Sequence, residues 1–83
     1  MEDKLFQVES PVSGTFYRKP SPEDAPYVEV GQEVKVGDVL CLVESMKVFT
    51  EVTTERNGIV RKILVENEDP VLENQPLLEI EAL

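Results

Sequence analysis

The side chain with the clearest capacity for chemistry in this sequence is Lys47, set in the run Glu44-Ser45-Met46-Lys47-Val48. A primary amine on a flexible stem is a point of attachment, because acylation turns it into a neutral amide bearing whatever was joined to it. A group tethered in this way is held at high effective concentration for every site its arm reaches. Direct catalysis by the amine would need burial or a neighbouring cation to lower its pKa. A hairpin tip in an acidic domain provides neither. Other reactive side chains are scarce. The chain has no His and one Cys, which removes Ser-His-Asp and Cys-His catalysis and every zinc pattern built from His and Cys pairs. No acid-base pair or nucleophile is visible, so no catalytic residue and no metal ligand is assigned. Cys41 lies in the most apolar stretch and reads as a small buried hydrophobe.

The location of Lys47 follows from a repeat. Sliding residues 28–44 by 37 onto 65–81 matches Val28 with Val65, Glu29 with Glu66, Val34 with Val71, Leu40 with Leu77 and Glu44 with Glu81. Sliding the earlier part by 44 matches Val8 with Val52 and Gly14 with Gly58. The two offsets differ by seven, which places a seven-residue insertion in the first half, over Lys19-Pro20-Ser21-Pro22-Glu23-Asp24-Ala25. Ser45-Met46-Lys47 belongs to neither repeat and joins them. A two-fold relation between the halves would make the chain termini the mate of this connection, with Lys47 projecting from the end opposite Met1 and Leu83. A tight turn there favours Asn-Gly or Gly-Gly, since its central residues need positive φ. Met and Lys at the junction break that rule, and broken local rules concentrate at functional sites. The plainer alternative is a strand that runs through, with Lys47 as one solvated lysine of five.

The elements that must position this lysine are strands. Leu5–Val8, Thr15–Tyr17, Val28–Val30, Val34–Val36, Val39–Val43, Val48–Thr53, Ile59–Val65 and Leu77–Ile80 carry strand formers, punctuated by Gly, Pro and Asn. Val39–Val43 is apolar on both faces and is expected as the central buried strand, while Asn57-Gly58 is expected as a turn. Phe6, Phe16 and Phe49 are expected in the core. No helical stripe is present. About eight short strands in 83 residues predict a single all-β domain over 1–83, a compact antiparallel sandwich or flattened barrel. Seventeen acidic residues against eight basic give a net charge of −9, which repels a nucleic-acid backbone. The longest apolar run, Val39–Val43, is far shorter than the ~20 residues of a membrane span. Met1-Glu2-Asp3-Lys4 is charged and leads into no signal core. The expectation is a soluble protein of a reducing, cytoplasmic compartment that binds neither nucleic acid nor membrane.

With these residues in view, Glu44-Ser45-Met46-Lys47-Val48 resembles the attachment motif of biotin carboxyl carrier domains, in which Glu-Ala-Met-Lys precedes an apolar residue. Ser10-Pro11-Val12-Ser13-Gly14-Thr15-Phe16-Tyr17-Arg18 with Pro20-Ser21-Pro22 is similar to the stretch entering the protruding thumb of the acetyl-CoA carboxylase carriers. Val30-Gly31-Gln32-Glu33-Val34 and Val36-Gly37-Asp38 also fit that pattern. The resemblance runs from about Val8 to Glu81. Ser45 stands where Ala is commonest, and Lys19 where the thumb often has Thr.

The resemblance implies a flattened barrel of two four-stranded antiparallel sheets with quasi-two-fold symmetry and a thumb loop at 19–25. It implies covalent biotin on Lys47, added by a biotin protein ligase that reads the folded hairpin. Met46 would favour the transfer, and Glu44, Ser45 and Val48 would belong to the recognised hairpin. It further implies a non-catalytic carrier. The ring would be carboxylated at a biotin carboxylase and deliver its carboxyl group at a carboxyltransferase to an acyl-CoA, most plausibly acetyl-CoA at the entry to fatty acid synthesis. Two alternatives stay open. A lipoyl carrier uses the same fold but flanks its lysine as Asp-Lys-Ala and lacks the thumb. An unmodified regulatory module would keep the fold without the prosthetic group.

Overall fold

The computed structural model describes residues 4–83, and Met1, with the expectation that Lys47 projects away from it, lies outside them. Eight strands follow in order: β1 (Leu5–Glu9), β2 (Gly14–Tyr17), β3 (Glu33–Val34), β4 (Val39–Ser45), β5 (Val48–Thr53), β6 (Gly58–Ile63), β7 (Pro70–Val71) and β8 (Pro76–Ala82). They form two four-stranded antiparallel sheets, ordered β1-β8-β6-β3 and β5-β4-β2-β7. The apolar sides of both sheets face each other, burying Phe16, Val34, Leu40, Val43, Val60, Leu77, Leu78 and Ile80 in one cluster. Each such side chain contributes about 1.5–3 kcal/mol by leaving water. As expected, β4 is an inner strand buried through Leu40–Val43. Its Cys41 is buried, and that burial pushes the thiol up to about 12, so it stays protonated and inert.

The two offsets read from the sequence reappear as hydrogen-bond register. Phe6 pairs with Ile80 and Val8 with Leu78; adding 44 to one partner and subtracting 37 from the other gives Thr50 with Val43 and Val52 with Cys41, both observed. Adding 44 to one partner and 37 to the other turns Thr15–Glu44 and Phe16–Val43 into Ile59–Glu81 and Val60–Ile80. Gly14–Val71 maps onto Gly58–Val34. Even the buried polar residues correspond. Ser10 Oγ donates to Val12 O at 2.6 Å and Thr54 Oγ1 to Arg56 O at 2.7 Å, which is how both hydroxyls tolerate the core. Backbone symmetry is therefore close, and what differs between the halves is side-chain chemistry and the insertion.

Three local expectations need correction. Val28–Val30 is not a strand: the Glu29 N–H is taken by Gln32 Oε1 at 3.1 Å and Gly31 turns the chain at φ 95°. The strand expected over Val34–Val36 ends at Val34, because Lys35 N–H goes to Asp38 Oδ2 and Val36 N–H to Asn57 Oδ1. Asn57-Gly58 is not a turn. Gly58 opens β6 and pairs on both sides, and a Cβ there would run into the Glu81 carbonyl and lie 2.6 Å from Ile80 Cγ2. Gly14 meets the Glu44 carbonyl in the same way. These glycines are small because strands cross closely, which a turn-based reading of Asn-Gly does not anticipate.

The insertion is a loop closed at its base by Tyr27 N–H donating to Arg18 O at 2.9 Å. Arg18 holds that base through Nη2 to Val28 O at 3.1 Å, and its own N–H donates to Asn67 Oδ1 at 2.8 Å. Within it, Ser21-Pro22-Glu23-Asp24 makes a turn, with Asp24 N–H on Ser21 O at 3.1 Å and Ser21 Oγ donating to Asp24 Oδ2 at 2.8 Å. At the closure, burial, then the Glu51 and Asp24 carboxylates, raise the Tyr27 phenol above its ordinary value. Among the described residues no helix is long and apolar enough to cross a membrane.

Candidate functional site

Strands β4 and β5 are joined by two residues, Met46 and Lys47, between the paired Ser45 and Val48. Both have left-handed backbones, φ 53° and 67°, the signature of a type I′ hairpin turn. For a non-glycine residue this conformation costs about 1–2 kcal/mol, and here two such residues stand side by side. The turn is held by Glu44, whose Oε2 accepts the Lys47 N–H at 2.8 Å. Glu44 is thus the structural brace of the hairpin, and Ser45 is the last strand residue. Lys47 is exposed at the tip and takes part in no ion pair among the described residues. The arrangement presents one primary amine on a rigid, strained tip with nothing packed over it.

Met46 is 92% exposed, so the fold gains no packing from it. Val48 is also exposed, and the tip therefore shows two apolar side chains flanking one amine. Met46→Asn is expected to raise stability by about 0.5–1 kcal/mol, since Asn adopts left-handed φ more readily. The same change is expected to slow acylation of Lys47 about tenfold, the value of one lost apolar contact with a modifying enzyme. Thermal melts and modification time courses of the two proteins check both halves of the expectation.

Phe49, expected in the core, is 59% exposed. It shares the outer side of edge strand β5 with Glu51 and Thr53, while Val52 points inward. Phe49 lies 6.0 Å from Tyr17, ring centroid to centroid. Together with Leu42, Asn67, Glu68 and the loop residues Lys19, Pro20, Ser21 and Pro22, they line a groove of about 340 Å³. The structure thus brings four of the seven inserted residues, Lys19 through Pro22, against the strands that carry the hairpin. Glu23, Asp24 and Ala25 do not line the groove and are exposed. Tyr17, Leu42 and Phe49 were not singled out from the sequence as site residues. Their signal is apolar side chains on the outward faces of β2, β4 and β5, which a two-layer sandwich does not itself require. Among the described residues no cluster of acidic or Cys side chains is arranged to hold a metal ion.

The family model described as biotin-requiring enzyme matches residues 6–80. The chain belongs to that biotin/lipoyl attachment family. As a member of it, the chain is 53% identical over 73 residues to the biotin carboxyl carrier protein of acetyl-CoA carboxylase of Pseudomonas aeruginosa, covering 88% of this chain and 47% of that one. It is 45% identical over 80 residues to the carrier of the same description from Nostoc sp., with 96% and 44% covered. A chloroplastic relative from Arabidopsis thaliana is 42% identical over 80 residues, with 96% and 29% covered. The chain spans about half the length of the bacterial relatives it matches. Among solved structures, the urea carboxylase of Kluyveromyces lactis contains a similar fold with a TM-score of 0.79 and 29% identity, over 96% of this chain and 6% of that one. The fold expected from the sequence, two four-stranded antiparallel sheets, is the fold of this attachment domain.

Proposed function

We propose that this domain is a biotin carboxyl carrier whose attachment residue is Lys47. The observation that carries the reading is the Met46-Lys47 turn: two adjacent left-handed non-glycine residues, braced by Glu44, presenting a free amine. The residues fit the group. An amide needs one accessible primary amine, and Lys47 supplies it on a rigid tip with no neighbour to compete. When bound, biotin would supply a ureido ring that accepts and gives up a carboxyl group. The chain's own part is to bind, orient and present: β4 and β5 fix the tip, Glu44 sets its backbone, and Met46 and Val48 offer apolar contacts to a ligase. The chain itself would perform no catalysis. Its partners would be the subunits of an acetyl-CoA carboxylase, namely biotin carboxylase and carboxyltransferase, with a biotin protein ligase as modifying enzyme. This partner set and the acetyl-CoA acceptor are supported by the likeness to carriers of acetyl-CoA carboxylase and by the motif around Lys47. The cytoplasmic location is supported by the low cysteine content and the lack of a signal core in the sequence. We also propose that residues 1–83 act as one domain, with 19–25 as its thumb.

Met46 and Val48 beside the lysine, and the insertion closed at Arg18 and Tyr27, favour biotin over a lipoyl group. Intact mass after co-expression with a biotin protein ligase tests the reading. The expected result is a gain of one biotinyl group, mapped by peptide analysis to Lys47 with Lys4, Lys19, Lys35 and Lys62 unmodified. A folded domain that gains nothing beside an active control substrate would overturn it in favour of lipoylation or an unmodified module.

A further inference from the structure

Among the described residues there are two sulfur atoms, and the fold treats them in opposite ways. Cys41 is wholly buried in β4, and burial keeps its thiol protonated, which makes it a poor target for oxidants. Met46 is 92% exposed on the hairpin tip, with its thioether open to solvent. The turn itself gives no reason for a methionine. At φ 53° Asn or Gly would sit at lower cost, and so exposed a side chain adds no packing to the fold. Its value lies in contact with another molecule that comes to Lys47. For that contact alone an aliphatic side chain would serve, as Val48 does on the other side of the lysine. What a thioether adds is chemistry: it takes up one oxygen atom, and the product is polar and chiral.

We propose that Met46 is a site of reversible oxidation by peroxides, and that its sulfoxide slows acylation of Lys47. This rests on the carrier reading above, in which Met46 offers an apolar contact to the modifying enzyme. In the forward step the thioether sulfur attacks one oxygen of hydrogen peroxide. The O–O bond breaks, an S–O bond forms, and the other oxygen leaves as water with both peroxide hydrogens. The sulfur gives up two electrons in the exchange. A thiol-dependent sulfoxide reductase reverses the step: two thiols become a disulfide, and the oxygen leaves as water. The tip keeps its shape throughout, because the Glu44 brace reaches the Lys47 backbone N–H at 2.8 Å and not the methionine side chain. What changes is desolvation. An S–O dipole must be stripped of water before it is buried against an enzyme, which leaves Val48 as the apolar neighbour of the lysine. Losing one apolar contact is worth about tenfold in rate.

The test uses the domain before biotin is attached, so that the thioether of biotin itself is not in play. It is treated with hydrogen peroxide and freed of it before assay. Peptide mass mapping is expected to place one added oxygen on Met46 and none on Cys41. Biotinylation at limiting ligase is then expected to run about tenfold slower, while the melting temperature stays within roughly 3 °C of the untreated domain. Incubation with methionine sulfoxide reductases for both epimers and dithiothreitol is expected to restore the rate. Met46→Leu is expected to be modified at one rate before and after peroxide, which separates Met46 from Met1 and Cys41. A Met46 that stays unoxidised, an oxidised Met46 with an undiminished rate, or a Met46→Leu variant that still responds would overturn the proposal. So would a loss that the reductases do not restore. Each of these leaves the carrier reading intact. An untreated domain that gains no biotin beside an active control substrate would overturn both.

Discussion

Lys47→Arg is expected to abolish attachment altogether, with modification falling at least roughly a thousandfold, to the detection limit of intact mass spectrometry. The substitution changes little else. Arginine keeps the positive charge, the length of the stem and the exposure of the tip, and its backbone can occupy the φ of 67° at the same cost as lysine. The brace from Glu44 Oε2 reaches a backbone N–H, which arginine also has. Melting is therefore expected to stay within about 0.5 kcal/mol of wild type, as for surface changes away from packing. What is lost is an amine that can shed a proton and form an amide. A guanidinium remains protonated at any accessible pH and its nitrogens share a delocalised charge. Modification that persists on another lysine in the variant would refute the assignment of the tip.

Gly58→Ala is expected to be a severely damaging single-methyl change, costing about 3 kcal/mol, the upper part of the usual range for overpacking. In a domain of this size that is a fall in melting temperature of roughly 15 °C. The new Cβ would meet the Glu81 carbonyl and Ile80 Cγ2, and neither can retreat. Glu81 belongs to β8, which is held between β1 and β6, and Ile80 is fully buried. Gly14→Ala, its counterpart against the Glu44 carbonyl, should behave alike and also disturb the brace of the Met46-Lys47 turn. The repeat provides the control. Gly37 has φ 93° with nothing near its missing Cβ, and Asn74 occupies the equivalent place at φ 71°. Gly37→Asn is accordingly expected within about 0.5 kcal/mol of wild type, and chemical denaturation of the three variants separates crowding from backbone strain. Similar losses in all three would mean that glycine conformation, not space, is the constraint.

Much of this was legible before any coordinates, and the reason lies in what repeats encode. Two sliding offsets, 37 and 44, are also the register of the ladders, because a duplicated core must bury equivalent residues. The buried Leu40–Val43 run and the lysine between the repeats could be read for the same reason. Local backbone was harder. Val28–Val30 alternates like a strand, yet a side-chain acceptor from Gln32 and the turn at Gly31 draw it out of the sheet. Asn57-Gly58 carries turn chemistry, but its glycine answers to a strand crossing that is remote in sequence. Phe49 looked like core by type, whereas its parity on β5 puts it outside, beside Tyr17. In each case the deciding contact comes from a segment far along the chain. The Met46-Lys47 turn was the opposite case: its unsuitability was visible locally, and the strain it implies is what the backbone shows.

The interleaving of the two halves has a consequence for how the protein is made. Neither half owns a sheet, since β1 and β3 flank β8 and β6 in one, while β5 and β7 flank β4 and β2 in the other. Leu5 of β1 has Glu81 of β8 as its partner, so the first strand of this domain waits for the last. Such pairing is slow, on the order of milliseconds to seconds once β8 is available. The hairpin bearing Lys47 becomes a rigid tip when that pairing closes the sandwich. A modifying enzyme that reads the rigid tip, as proposed above, would then be reading closure of the whole domain, and its mark would fall on folded domains rather than unfolded ones.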